Sequence, residues 1–338
     1  MRKPSMRIIH CVRAPIGGAF RHVVDLCRQQ SKDGHDVGLL CDSQTGGETA
    51  ARTLEDLSAH LSLGVHRLPI ARSLHPRDAV TIFKAHALLK TLDPDVIHGH
   101  GAKGGVISRL VGSALKRSNP DLQRIYSPHG GSLHYKASSS VGFVYLNLER
   151  ILTKMSDGFS FVCNFERERF DRKIGLGTVK SIIGYNGLHP SEFNDSPLDD
   201  NASDFLFLGE MRDLKGVDLL IGAIARLNSD RQTPVTVSLV GDGPDLERYQ
   251  RLSEDLGQKD NITFHGRLPI SSALPLGRIG VLPSRAESFP YVVLEMIAAG
   301  KPLLATNVGG IPEIYRDQSD SLLNPDSAEE LFSAMKAA

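Results

Sequence analysis

The chain has 338 residues, 41% of them apolar and 23% charged, with 39 basic side chains against 39 acidic ones. Such a length exceeds one ordinary core and calls for two domains, and the composition excludes a disordered chain. No run approaches the roughly 20 apolar residues that a bilayer demands, which excludes a membrane-spanning helix.

Cys11, Cys27, Cys41 and Cys163 fall in apolar runs without CxxC spacing, so neither a disulfide framework nor a cysteine zinc site is expected. The opening MRKPSMRIIHCV passes from basic residues straight into a strand-like run. It lacks the apolar centre of a signal peptide, and the expected location is the cytoplasm. The zero net charge hides an asymmetry: through Asn186 there are 26 Lys and Arg against 16 Asp and Glu, or +10, and the remainder carries −10. The first part therefore suits an anionic surface or polymer, unless its charge is merely scattered over solvated faces.

Short apolar runs alternate with amphipathic ones. RIIHCV reads as a strand, RHVVDLCRQQ as a helix, DVGLLC as a strand, DAVTIFKAHALLKTL as a helix ended near Pro94, and DVIHGH as a strand. RIYSPHG, GFSFVC and SIIGYN continue the strands. PSEFNDSPLDDNAS, rich in turn formers, reads as a linker. The pattern then restarts: strand DFLFLG, helix GVDLLIGAIARL, strand VTVSLVG, helix DLERYQRLSEDL, strands NITFHG and IGVLPS, helix YVVLEMIAAG and strand KPLLAT. Gly300 fits the C-cap of that last helix. This alternation predicts an α/β protein of two doubly wound, Rossmann-like domains with parallel sheets. The expected boundaries are 1–189, a linker at 190–203, and 204–338.

In such sheets ligands bind beyond the carboxyl ends of the strands. ESFPYVVLE, at 287–295, starts at such a tip and puts Pro290 in the first turn of a helix. The N–H groups from Phe289 through Tyr291 to Val292 then face an anion. Glu287 and Glu295 flank that helix start; as a pair they fit a sugar hydroxyl and a ribose diol around a diphosphate, although two such glutamates are more often a cap and a surface residue. Gly17 and Gly18 stand where a strand turns into a helix, as a phosphate-approaching loop or a plain tight turn. Lys215 precedes a helix start, where a cation is disfavoured unless an anion is present.

His98 and His100 in HGH lack companion ligands, so packing or substrate contact is expected rather than a metal. DPD at 93–95 reads as a turn. GDGPDLE lacks the order of a dinucleotide fingerprint.

Several ordered segments together resemble the retaining glycosyltransferases of family GT4, with the GT-B fold. They are GGAFRHVVDLCRQQSKDGHDV, DPDVIHGHGAKGG, IYSPHGGSLHY, IIGYNGLHPSEF, LKGVDLLIGAI, LVGDGPDLERYQ and SRAESFPYVVLEMIAAGKPLLATNVGGIPEIY, spanning Gly17 to roughly Pro325. The resemblance implies two sheets facing a central cleft. It also implies transfer of a hexose-type sugar from a nucleotide diphosphate sugar to an acceptor hydroxyl, with no metal or other cofactor. Lys215 matches the lysine on the donor diphosphate, Glu287 the carboxylate at the sugar, Glu295 the one at the ribose, and His129 the histidine near the transferred sugar. Phe289, Pro290 and Tyr291 close the phosphate site, and Gly17 and Gly18 face it from the first domain. The family's arginine normally follows the glycine of GEMRDLKG directly; here Glu210 holds that place, and Arg212, two residues on, shares its face if the segment is extended. Members usually finish with a long helix crossing back onto the first domain, which NPDSAEELFSAMKAA does not reach.

The implied partners are a nucleotide sugar and a glycan or glycolipid acceptor in surface-polysaccharide assembly, with no nucleic acid. The +10 first part adds a peripheral position at an anionic inner membrane face. Two rivals are a sugar-nucleotide epimerase of similar shape and a non-catalytic nucleotide-sugar-binding protein.

Overall fold

The computed structural model describes residues 5–73, 75–135, 138–193, 196–229 and 231–338. Met1–Pro4 of the N-terminal reading and Asn194 and Asp195 of the expected linker lie outside the described residues. The chain divides into two units, Met1–Tyr185 and Asn186–Ala338, a few residues ahead of the boundary expected from the sequence.

The first unit carries β1 (Arg7–Val12), β2 (Asp36–Asp42), β3 (Val65–Leu68), β4 (Val96–His100), β5 (Gln123–Ser127), β6 (Gly158–Phe161) and β7 (Lys180–Ile183). They form one parallel sheet in the order β3-β2-β1-β4-β5-β6-β7. The second unit carries β8 (Ser203–Leu208), β9 (Val237–Val240), β10 (Ile262–Gly266), β11 (Gly277–Leu282) and β12 (Leu303–Ala305). Their order is β10-β9-β8-β11-β12, again parallel. These are the two parallel-sheet α/β units that the alternation predicts.

Helices cover the sheets because their apolar residues recur at helical spacing. In Gly17–Lys32 the buried Phe20, Val23, Val24 and Cys27 form one stripe. In Val217–Asn228 the stripe is Val217, Leu220, Ile221, Ile224 and Leu227. Each such side chain removed from water stabilises the fold by about 1.5–3 kcal/mol, which fixes the helix against its sheet. The second unit has one continuous apolar core running from Phe205 to Met335. The helix Tyr291–Ala298 takes Ala299 as its C-cap, and Gly300, expected at that place, follows one residue on in the left-handed region at φ +64°. Among the described residues no helix is long and apolar enough to cross a membrane.

Strand order decides where ligands are placed. In each sheet the chain first winds outward one way and then returns past its first strand, so the winding reverses between β1 and β4 and between β8 and β11. Loops leaving adjacent strands there diverge and open a crevice at the carboxyl ends.

Candidate functional site

In the second unit the crevice lies between the loops after β8 and β11. Beyond β8, Asp213–Lys215 form a single 3-10 turn, and Gly216 in the left-handed region leads into the helix Val217–Asn228. The Lys215 ammonium donates to Glu287 Oε1 at 2.6 Å. Ser284 Oγ donates to the same oxygen at 2.8 Å. Two residues far apart in sequence thus meet because their strands are neighbours.

Both loops are tied down. The Arg285 guanidinium straddles Asp218 at 2.8 and 2.7 Å, donates to the Asp213 carbonyl at 2.7 Å, and reaches Asp326 at 2.6 Å. The Arg285 N–H donates to the Leu214 carbonyl at 2.9 Å. The Asp218 side-chain bonds hold Arg285 above its ordinary pKa against the opposing effect of burial. Partial burial would raise Asp218, but the guanidinium overrides it and holds the carboxyl below the ordinary value. On the other side of Glu287 lies Gly309, at φ +64°: a Cβ there would come within 2.2 Å of the Glu287 carbonyl oxygen. Gly310 N–H donates to the Ser288 carbonyl, and the Asn186 side chain donates to the Phe289 carbonyl at 2.7 Å. Sequence reasoning missed Arg285, Gly309 and Asn186 as site residues, although all three lie inside segments that carry the resemblance.

The helix after β11 starts at Tyr291, so Pro290 is its N-cap with extended backbone rather than a first-turn residue. Proline fits both places, because it has no N–H to place. The first-turn N–H groups have no acceptor within the helix. Phe289 and Tyr291 are buried, and Glu295 stands one turn inside, partly exposed. Arg212 is partly exposed, 3.9 Å from Glu210. The structure therefore brings Lys215 to Glu287 and puts Arg212 beside the residue that displaced the expected arginine.

The first unit holds Gly17 at φ +76° and Gly18 exposed at the start of Gly17–Lys32. Its crevice contains a group of histidines that the sequence did not reveal. His10 on β1 pairs in register with His98 on β4, and His100 follows two residues on, its side chain on the same face. His22 reaches in from the helix Gly17–Lys32, and His129, at φ +50°, from the loop after β5. Ring centres of His10 and His100, His22 and His129, and His100 and His129 lie 5.1, 5.0 and 5.2 Å apart. The companions that His98 and His100 lacked in sequence are thus other histidines.

Hydrogen bonds run through this group in one direction. Gln30 Oε1 accepts from His10 Nε2 at 2.7 Å. A neutral His10 then accepts at Nδ1 from His100 Nε2, 2.9 Å away, and His100 accepts at Nδ1 from His129 Nε2 at 3.0 Å. His98 Nε2 lies 2.9 Å from Ser127 Oγ. Burial keeps the rings neutral: desolvation pushes His10 down to about 4, and desolvation with His22 close by pushes His129 down to about 3. His98 and His100 also lie well below the ordinary histidine value, chiefly through burial. Next to His129, Gly130 N–H donates to the buried Glu166 carboxylate, which also accepts from Val162 N–H at 3.0 Å.

Each unit matches a known family model. The family "Glycosyltransferase Family 4" matches residues 16–192, and "Glycosyl transferases group 1" matches 189–338. A 41.2 kDa protein in the cps region of Klebsiella pneumoniae, itself uncharacterised, is 25% identical over 98% of this chain and 89% of its own. Among solved structures, sucrose-phosphate synthase from Thermosynechococcus elongatus superposes with a TM-score of 0.76 at 20% identity, covering 98% of this chain and 89% of that one. WaaG, a glycosyltransferase involved in lipopolysaccharide biosynthesis, gives 0.72 at 18% identity, covering 98% and 90%. With both family signatures matched in order along two parallel-sheet units, the chain belongs to the family 4 glycosyltransferases of the GT-B fold.

Proposed function

We propose that the protein is a retaining glycosyltransferase that moves a hexose-type sugar from a nucleotide diphosphate donor to an acceptor hydroxyl on a surface glycan or its lipid-linked precursor. The observation that carries this reading is the Lys215 to Glu287 ion pair at the reversal point of the second sheet, with both loops tied by Arg285. An ammonium and a carboxylate at one crevice neutralise each other until a ligand offers a better anion to the one and hydroxyls to the other. A sugar diphosphate offers both.

In this reading Lys215 meets the diphosphate, with Arg212 and the amides of Phe289 to Tyr291, and Glu287 accepts from a sugar hydroxyl. Glu295 takes the ribose. His129, Gly17 and Gly18 serve the same reaction from the first unit. The bond from the anomeric carbon to the phosphate oxygen breaks as the acceptor oxygen bonds to that carbon on the same face, and the acceptor's proton passes to the departing phosphate. Negative charge grows on that phosphate, so Lys215 stabilises the transition state more than the ground state. Proton NMR of a fresh product tests it: an anomeric configuration opposite to the donor's overturns retention, and epimerisation of the donor in the absence of an acceptor overturns transfer.

The acceptor reading also draws on the surface of the first unit. The helix Ser140–Thr153 leaves Val141, Phe143, Val144 and Ile151 exposed, with Arg150 and Lys154 also exposed near its end, in a unit carrying an excess of basic residues. Apolar side chains beside cations suit an anionic lipid surface, to which each well-placed cation adds about 1 kcal/mol. Sedimentation with liposomes tests this, and binding indifferent to anionic lipid content refutes it.

A further inference from the structure

We infer that Glu166 and Lys173, near the two ends of the helix Asn164–Lys173, are positioning residues that grip the loop after β5 and so set the place of His129, a step that rests on the part the proposed function gives to His129. The loop needs such a grip. His129, Gly130 and Gly131 follow one another at φ +50°, +75° and +21°. Glycine takes this region freely, whereas the Cβ of a histidine makes it unfavourable. A backbone of this kind persists only where its surroundings over-determine it.

The helix meets the loop along one stripe. Glu166, Phe170 and Lys173 recur at i, i+4 and i+7, which puts them on a single face. Phe170 is fully buried, its ring centre 6.4 Å from that of Tyr126 on β5 and 5.1 and 5.5 Å from those of Phe159 and Phe161 on β6, so the middle of the stripe is fixed against the sheet. On one side of it, one Glu166 oxygen accepts from Gly130 N–H and the other from Val162 N–H. On the other side the Lys173 ammonium donates to the Leu133 carbonyl at 2.6 Å and to the Tyr135 carbonyl at 3.0 Å. The loop is therefore held just before the 3-10 turn Gly131–His134 and again at its end.

Neither side chain is put to its ordinary use. A glutamate three residues past a helix cap normally turns back to the cap's own N–H, but Glu166 reaches Gly130, 36 residues earlier. A negative charge at the start of a helix and a positive one at its end suit the dipole from the solvent side, yet both of these turn toward the loop. Among the described residues neither has an oppositely charged partner. Burial lifts the Glu166 carboxyl to about 7 although both N–H bonds oppose the rise, and burial, then Arg169, pushes Lys173 below the ordinary lysine value. Two charges kept in place against desolvation mark a loop whose geometry is selected over stability.

The first test needs no substrate. In full-length protein with nitrogen-15-labelled histidines, the ring signals of His129, identified by their loss in His129→Asn, should move in Glu166→Met and in Lys173→Met, while those of exposed His60 stay in place. Donor turnover is then followed with the member of a panel of UDP-, GDP- and ADP-linked hexoses that the parent consumes. Glu166→Met and Lys173→Met should each lose about tenfold in kcat with the donor dissociation constant unchanged, and neither should lose more when added to His129→Asn. If Glu166→Met fails to fold, Lys173→Met carries both measurements. Unmoved His129 signals, or kcat losses that add to that of His129→Asn, overturn the positioning. Parental kcat in His129→Asn refutes the role of His129 itself, and the catalytic effect of the grip with it, even where the ring signals move.

Discussion

Lys215 Nζ lies 2.6 Å from Glu287 Oε1, and the Glu287 side chain is only 9% exposed. A carboxylate so enclosed depends on its cation and on the Ser284 hydroxyl. Lys215→Ala should lower kcat by about 100-fold, with the donor dissociation constant changing far less, because the missing charge acts on the departing diphosphate. A stopped-flow donor titration beside steady-state rates separates the two. Loss of affinity with kcat intact would assign Lys215 to ground-state binding alone. Unfolding of Lys215→Ala, Glu287→Gln and the double variant should be non-additive by about 1 kcal/mol or more, as for residues in direct contact.

Arg285 reaches no ligand in this reading; it positions the loop that carries Lys215. Its guanidinium joins Asp218, Asp326 and the Asp213 carbonyl, which a lysine at the same place cannot do together. Arg285→Lys should cost about 1–3 kcal/mol of stability, chiefly through the part-buried Asp218 fork. It should also lower kcat about tenfold, since a small misplacement of Lys215 suffices. Wild-type kcat in a destabilised variant would confine Arg285 to stability.

The strands were legible because parallel strands covered on both faces are short continuous apolar runs, as in FLFL of β8 or VSLV of β9. The helix Gly101–Leu115 was not. Its glycines weaken the helical pattern, and Gly104 is needed because a Cβ would sit 2.1 Å from the Cys11 carbonyl oxygen of β1. Contact with a distant strand imposed that residue, so local propensity misleads. The edge strand Val65–Leu68 is too short for its alternation to stand out. In the site, Lys215 and Glu287 stood out singly through the resemblance, but their pairing depends on β8 lying beside β11. The histidine group depends on the register that sets His10 against His98, and nothing local to either residue encodes that register.

Gly309 and Gly300 provide a matched comparison. Both have φ +64°, but a Cβ on Gly309 meets the Glu287 carbonyl oxygen at 2.2 Å, whereas a Cβ on Gly300 meets nothing within 4 Å. Gly300→Ala should cost about 1 kcal/mol, the price of a left-handed alanine. Gly309→Ala should cost more, about 2–4 kcal/mol, and should reduce kcat because the Glu287 loop must move. Urea midpoints at unchanged m-value read the stability. Equal losses in the two variants would mean that the Glu287 loop yields freely.

Glu166 makes stability depend on pH near neutrality. Desolvation raises its carboxyl to about 7, although the Val162 and Gly130 N–H groups oppose the rise. The folded state therefore holds a proton that the unfolded chain, with its ordinary carboxyl near 4.5, has already lost. The resulting stabilisation is fully present below about 4.5 and disappears as pH rises through about 7. The buried histidines act in the opposite sense: His10, lowered to about 4, favours folding above the ordinary histidine value and withdraws that support as pH falls toward 4. A whole-protein pH profile mixes both, so the parent must be compared with Glu166→Gln, which is neutral throughout. Their difference in unfolding free energy should shift by on the order of 3 kcal/mol in favour of the variant between pH 4.5 and pH 8. A difference independent of pH would mean that Glu166 titrates in the folded protein as it does in the unfolded chain, with Gly130 and Val162 offsetting its burial in full.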